Sequence, residues 1–93
     1  MRYNMYMIYS EKSSSIKIEF RLYASLSRYM PEPWKNAATV EVREGMTVKD
    51  LLESIEVPLG AVKVVFINGV HAKADETLSE GDRVGVFPPV AGG

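Results

Sequence analysis

The residues that could do chemistry are few, and most catalytic sets are missing. The chain has no cysteine and one histidine, His71, which excludes disulfides, thiolate zinc sites and multi-histidine metal sites. A lone histidine beside a turn is usually a surface residue. The serines form no G-x-S-x-G nucleophile elbow, and the glycines match neither a P-loop nor a dinucleotide-binding fingerprint. We therefore expect no catalytic side chain, no metal site and no bound cofactor.

The unusual chemical feature is the end of the sequence, which reads Phe87-Pro88-Pro89-Val90-Ala91-Gly92-Gly93. Neither glycine has a Cβ atom, so a catalytic slot can approach the backbone closely. A terminal α-carboxylate is ionised at neutral pH and becomes electrophilic only after activation, for example as an acyl adenylate. A thiolate or an amine could then attack the carbonyl carbon. We predict that Gly93 carries this chemistry and that Val90, Ala91 and Gly92 insert into a partner with it.

The segment before the glycines predicts how this tail leaves the protein. Neither Pro88 nor Pro89 can donate to a β-ladder, so the last strand should stop at Phe87. The two prolines also favour a stiff, polyproline-like exit, and the six residues 88–93 could reach about 20 Å at about 3.3 Å each. We predict Phe87, Pro88 and Pro89 as a partner interface, with Phe87 as the anchor. The alternatives are a frayed terminus and a Phe87 that only closes the core.

Strand signals cover much of the remaining sequence. In residues 16–22 apolar and charged residues alternate, which is the period-2 pattern of a strand with one buried face. Asn68-Gly69 predicts a tight hairpin, because both turn positions need a positive φ. The predicted strands are residues 16–22, 39–42, 62–67, 70–72 and 83–87. The run 62–67 is almost continuously apolar, which predicts a central strand of the sheet rather than an edge strand.

One main helix is predicted between the strand pairs. Thr47 and Asp50 have the spacing of a capping box at a helix N-terminus, and Pro58 and Gly60 should end the helix. Its apolar stripe at i, i+3, i+4 and i+7 consists of Val48, Leu51, Leu52 and Ile55. Residues 24–30 predict a shorter helix that Pro31 closes.

These elements predict an α+β fold of order β-β-α-β-β, in which the main helix packs across a mixed sheet. The domain should span residues 16–93, with the tail at 88–93, after a flexible extension at 1–15. The expected core consists of Ile18, Phe20, Val40, Leu51, Leu52, Ile55, Val64, Phe66, Val84 and Val86.

Bulk composition narrows the function classes. Ninety-three residues suffice for one domain with a thin core, which leaves little room for a deep active site. The net charge is −1 and the arginines are scattered, so nucleic-acid binding is disfavoured. No segment approaches the ~20 apolar residues of a membrane helix, and no signal-peptide cleavage site follows the apolar start. We expect a cytoplasmic protein without a membrane partner.

At its C-terminal end the sequence resembles the MoaD/ThiS family of ubiquitin-like sulfur carriers. The block from Gly81 to Gly93 reads Gly-Asp, a strand, and then Phe-Pro-Pro-Val-x-Gly-Gly, which is similar to the MoaD branch, the small subunit of molybdopterin synthase. ThiS shares the Gly-Gly end but usually lacks the double proline. Asn68-Gly69 lies where the family carries such a turn. The resemblance covers residues 16–93 and implies a ubiquitin-like β-grasp fold.

The resemblance also implies a reaction cycle with three partners. An E1-like adenylating enzyme uses ATP and magnesium to convert the Gly93 carboxylate to an acyl adenylate, and a sulfur donor then makes it a thiocarboxylate. The molybdopterin synthase large subunit receives the tail and transfers the sulfur to a pterin precursor, for molybdenum cofactor biosynthesis. Catalytic residues belong to the partners in this scheme.

Two features are atypical of the family: the extension at residues 1–15 and the proline-rich loop that carries Trp34. The related alternatives are a carrier for thiamine, tungsten-cofactor or tRNA thiolation pathways, and a modifier that joins Gly93 to lysines. A β-grasp binding module without C-terminal chemistry is an alternative of a different class.

Overall fold

Alternating apolar and charged residues produce a five-stranded sheet with one α-helix against it. The structure is a computed structural model that describes residues 14–90. Its elements are β1 (Ser15–Leu22), β2 (Val40–Arg43), α1 (Val48–Ser54), β3 (Val64–Ile67), β4 (Val70–Ala72) and β5 (Arg83–Phe87). β1 begins one residue before the predicted domain boundary, and residues 1–13 of the predicted extension lie outside the described part.

The strand order is β2-β1-β5-β3-β4, so the strand that comes last in sequence occupies the centre. β5 runs parallel to β1, with Leu22 beside Val86, and antiparallel to β3, with Val64 beside Phe87. β3 lies between β5 and β4, so the prediction that it is a central strand rather than an edge strand is confirmed. Its apolar run arises because the sheet face away from α1 also carries apolar residues, including Phe66.

Helix α1 begins as predicted but ends earlier. Thr47 Oγ1 accepts the N–H of Asp50 at 3.0 Å, and Asp50 Oδ2 accepts the N–H of Thr47 at 3.1 Å. The helix ends at Ser54 because Glu56 adopts a left-handed φ of 67° and the N–H of Val57 donates to Leu52 O at 2.9 Å. This is the geometry of a Schellman motif. The predicted end at Pro58 and Gly60 was wrong because no glycine marks this turn.

The core lies between α1 and one face of the sheet. Its buried residues include Ile18, Phe20, Val40, Leu51, Leu52, Val84 and Val86, as predicted, and Ile55 packs against them partly buried. The prediction that Val64 and Phe66 belong to the core was wrong, because neither is part of this cluster and Phe66 is 37% exposed. The cluster also contains eight buried residues beyond the expected core list: Ile16, Leu22, Leu26, Val42, Val48, Val57, Val65 and Leu78.

The loop between β1 and β2 contains two short 3-10 helices, Ala24–Tyr29 and Glu32–Trp34. The first corresponds to the predicted short helix. It anchors the loop through Leu26, which is 1% exposed. The Trp34 ring meets the Phe20 ring edge-on, with 5.9 Å between centroids. Within residues 14–90, no helix is long and apolar enough to span a membrane.

Candidate functional site

The predicted tail leaves the sheet directly after the last backbone bond of β5. The carbonyl oxygen of Phe87 accepts the N–H of Lys63 at 2.8 Å. Pro88 and Pro89 have no N–H to continue the ladder, and Val90 is 82% exposed. Ala91, Gly92 and Gly93 lie outside the described residues, so their predicted roles stay predictions. The described chain thus fixes the root of the tail at Phe87.

Two aromatic rings hold the Phe87 side chain. The Tyr23 ring stacks on it with 4.3 Å between centroids and an interplanar angle of 5°. The Phe66 ring meets it edge-on at 5.9 Å and 89°. Phe87 is half-buried and lies outside the core cluster. We call Tyr23, Phe66 and Phe87 the aromatic cluster. It lies on the open face, the sheet face away from α1.

Gly85 provides the space in which the two stacked rings lie. An added Cβ there would come within 3.2 Å of Tyr23 Cε2 and 3.5 Å of Phe87 Cε1. The φ of Gly85 is not positive, so other residues could adopt this backbone conformation. A side chain is excluded here because there is no space for it. Its flanking residues, Val84 and Val86, are buried on the opposite face. The absence of a side chain at Gly85 therefore permits the stack.

A backbone hydrogen bond of Tyr23 connects the end of β1 to β5 next to Phe87. Its N–H donates to Val86 O at 3.0 Å, which extends the parallel β1–β5 ladder by one residue. The next residue, Ala24, adopts a left-handed φ of 53°, a conformation that costs about 1–2 kcal/mol outside glycine. The chain turns there into the first 3-10 helix, which starts beside the tail root.

Charged residues flank the aromatic cluster. Tyr23, Phe66, Gly85 and Phe87 line a shallow depression of about 370 Å³. Its charged lining consists of Glu19, Arg21 and Arg83, which project from the same face because they share the outward positions of β1 and β5. The open face therefore offers an apolar centre with a charged margin, which is the usual composition of a protein interface.

A polar network fixes the hairpin beside this face. Asn68 Nδ2 donates to Asp82 Oδ1 at 2.9 Å, and Asn68 Oδ1 accepts the N–H of Arg83 at 2.9 Å. Asp82 Oδ2 also accepts the N–H of Ser79 at 2.8 Å. Asn68 and Gly69 both have a positive φ, which confirms the predicted hairpin turn. These bonds connect the β3–β4 turn to the start of β5.

His71 lies on β4 with its ring 5.7 Å from that of Phe66, and it is exposed. No group of three or more His, Cys, Asp or Glu side chains that could hold a metal occurs between residues 14 and 90. The cluster residues Tyr23 and Phe66 were missed from sequence. Strand parity could have placed both on the open face, since they occupy positions that alternate with buried residues, but it could not have placed them beside Phe87.

The comparisons with known proteins identify the family. The model of the family described as Mut7-C ubiquitin matches residues 15–92. The chain belongs to this ubiquitin-like family. Its mixed five-stranded sheet with one main helix is the ubiquitin-like β-grasp. No curated protein matches the chain by sequence.

This member of the Mut7-C ubiquitin family is similar to several solved structures with the same fold. The solution structure of the Haloferax volcanii HVO 2177 protein is 26% identical, with TM-score 0.59 over 85% of this chain and 88% of that one. SAMP1 from Haloferax volcanii is 26% identical, with TM-score 0.55 over 83% and 99%. A putative molybdopterin converting factor, subunit 1, from Pyrococcus furiosus is 27% identical, with TM-score 0.54 over 81% and 99%. The predicted likeness to MoaD-type ubiquitin-like proteins is confirmed.

Proposed function

We propose that this protein is a sulfur carrier that works through the carboxylate of Gly93. The observation that carries the proposal is the tail root: β5 ends at a fixed Phe87, and the chain then continues through two prolines to an exposed Val90. A rigid root with a slim, side-chain-poor end suits insertion into another protein's active site. The likeness to a putative molybdopterin converting factor, subunit 1, also supports a carrier function.

The chemistry requires two steps on the same carboxyl group. In the first, a carboxylate oxygen of Gly93 attacks the α-phosphorus of ATP, and pyrophosphate leaves. In the second, a sulfur donor at the oxidation level of sulfide attacks the acyl carbon, and AMP leaves with the oxygen that had attacked phosphorus. The product is a thiocarboxylate. The chain contains no cysteine, so no side-chain thiol can carry the sulfur.

Three partners are proposed with this function: an E1-like adenylating enzyme, a sulfur donor, and the large subunit of molybdopterin synthase as acceptor. ATP and magnesium are used by the first partner. The aromatic cluster is the proposed docking surface, because a half-buried Phe87 held between two rings offers a rigid apolar anchor at the base of the tail. Tail residues Val90, Ala91 and Gly92 would then enter the partner's slot.

The test is intact mass after reaction with the cognate adenylating enzyme, ATP, magnesium and sulfide. We expect the mass gain of one oxygen replaced by sulfur, located at Gly93. Deleting Gly93 shortens the reach by about 3.3 Å and should abolish loading, since even ~1 Å of misplacement can cost about a hundredfold. Deleting Glu11 instead removes one residue of the predicted N-terminal extension and should leave loading intact. Equal loading of the two deletion variants would refute the proposal.

A second candidate function is conjugation of Gly93 to lysine amines. The likeness to SAMP1, a small archaeal modifier protein, favours it, and both reactions share the adenylate. Recovery of the protein from its native host distinguishes them. A terminal thiocarboxylate in the intact mass supports the carrier, whereas Gly-Gly-modified lysines on other proteins after trypsin support the modifier. The same intact mass establishes whether Gly93 ends the native chain, which both functions require.

A further inference from the structure

A second depression lies beside the tail root, and its charged lining is entirely basic. Arg21, Arg28 and Lys35 line a cavity of about 470 Å³, together with Ser27 and Met30. A neighbouring cavity of about 350 Å³ shares Arg21, Met30 and Lys35 and contains no acidic residue in its lining. We call Arg21, Arg28 and Lys35 the basic cluster.

The basic cluster stands out against the rest of the chain. Between Arg21 and Ala38 the sequence contains three basic residues and one acid, Glu32. The whole chain has a net charge of −1, so the remainder is net acidic. Glu32 contacts Lys35 at 3.0 Å, but both side chains are at least half exposed, and such pairs are weak. The local positive field is therefore not neutralised.

Within residues 14–90, the two guanidinium groups of the cluster use few of their N–H donors. Arg28 lies over the Tyr29 ring, 5.5 Å from its centroid, which positions the group without using its N–H donors. Arg21 makes one long contact, from Nη1 to Phe20 O at 3.4 Å. Each guanidinium has five donors in a planar fork that matches a carboxylate. The chemistry of the cluster thus fits acidic side chains.

The position of the cluster relates it to the tail. β1 and β5 are parallel and end together, since Leu22 is beside Val86, so the 3-10 helix that carries Arg28 begins where the tail leaves. Arg21 lines both this depression and the depression over the aromatic cluster. The two surfaces are therefore continuous.

We propose that the basic cluster docks an acidic surface on the adenylating partner, next to the slot that receives the tail. This inference rests on the function proposed above and specifies the chemistry of the partner's surface. A basic rim around an apolar anchor raises the rate of encounter with an acidic partner and fixes its orientation. A net-acidic chain needs such a local patch, because its overall charge would repel an acidic surface.

The experiment compares two variants that lose the same net charge. Arg28→Gln with Lys35→Gln removes two charges of the cluster, whereas Lys49→Gln with Lys73→Gln removes two exposed lysines that line neither depression. Adenylation of Gly93 by the cognate enzyme is followed by ATP–pyrophosphate exchange at low and at physiological salt. We expect the first variant to lose about tenfold in kcat/KM at low salt, within the range of steering effects, with kcat unchanged. The control should stay within about twofold.

Further measurements separate the explanations. Arg28→Lys should retain most of the activity, because it keeps the charge, and thermal unfolding of each variant checks the fold. Equal losses in the two double variants, or no loss in either, would overturn the inference while loading of the parent still supports the carrier function. Binding of single-stranded RNA by the parent that the first variant loses would also overturn it, in favour of nucleic acid. If the parent is not loaded at all, the proposed function fails and this inference fails with it.

Discussion

The Tyr23 ring lies parallel to the Phe87 ring at 4.3 Å, although the two residues come from opposite ends of the domain sequence. Phe87 is the last strand residue before Pro88, so this stack helps to fix the direction of the tail root. Stacked aromatic pairs contribute about 0.5–1.5 kcal/mol beyond their buried area. That favours the stacked orientation by about two- to tenfold.

Tyr23→Leu should broaden the range of directions that the tail takes, because it removes one side of the ring pair. The chain has one tryptophan, Trp34, and no cysteine, so a dye on Ala91→Cys forms a single donor–acceptor pair. Time-resolved energy transfer then measures the distribution of distances. We expect a wider distribution in Tyr23→Leu and a parent-like one in Tyr23→Phe, which keeps the ring. An equally wide distance distribution in all three proteins would show that the prolines alone set the direction of the tail.

Gly85→Ala should destabilise the protein and displace the Tyr23 ring, because the new Cβ would lie 3.2 Å from Tyr23 Cε2. Overpacking typically costs about 1–3 kcal/mol, and the lower end applies since the Tyr23 ring is at the surface and can shift. Gly60→Ala is the matched control, with no atom within 4 Å of its added Cβ. Urea unfolding measures both, and ring-current shifts in the proton spectrum report the stack. Unchanged shifts in Gly85→Ala would contradict the role assigned to this glycine.

Leu52→Ala should cost about 2–5 kcal/mol of unfolding free energy, the usual range for a truncated core leucine. Leu52 is fully buried, whereas Leu59 is 36% exposed, so Leu59→Ala should cost clearly less. Chemical denaturation of the two variants makes the comparison. Similar losses in both would mean that α1 does not pack as the structure shows.

Phe87→Ala should weaken docking more than folding. The ring is half-buried and lies outside the core cluster, so the stability loss should stay below the about 3–5 kcal/mol of a buried phenylalanine. A buried interface anchor contributes about 2 kcal/mol or more, so the Kd for the adenylating enzyme should rise at least about 30-fold. Val70→Ala, at a position 66% exposed on the hairpin, serves as the control. Unchanged affinity in Phe87→Ala would remove the aromatic cluster as the docking surface.

Local signals in the sequence were sufficient for most of the fold. The Thr47–Asp50 capping box forms with both of its bonds, and Asn68-Gly69 makes its turn, because each depends on residues only a few positions apart. Phe87 was recognised as the tail root from the prolines that follow it. Its ring partners were not, since Tyr23 reaches it only through the parallel β1–β5 pairing, which no local pattern specifies.

The end of α1 shows a second limit of local patterns. The left-handed position that stops a helix is usually glycine, but here it is Glu56. Val57 then turns back into the core, where it is 2% exposed. This burial offsets the strain at Glu56, and the compensation depends on a tertiary contact that the sequence does not display.

The central position of β5 has a consequence for synthesis on the ribosome. Before β5 emerges, β1 can pair only with β2, and β3 only with β4, and isolated two-stranded hairpins are marginal in water. The sheet therefore closes only after Arg83–Phe87 has been translated, because β5 bridges the two halves. A nascent chain cannot present Tyr23 and Phe66 in their final arrangement before Phe87 exists. The aromatic cluster, the docking surface proposed above, therefore forms only after the last strand has been translated.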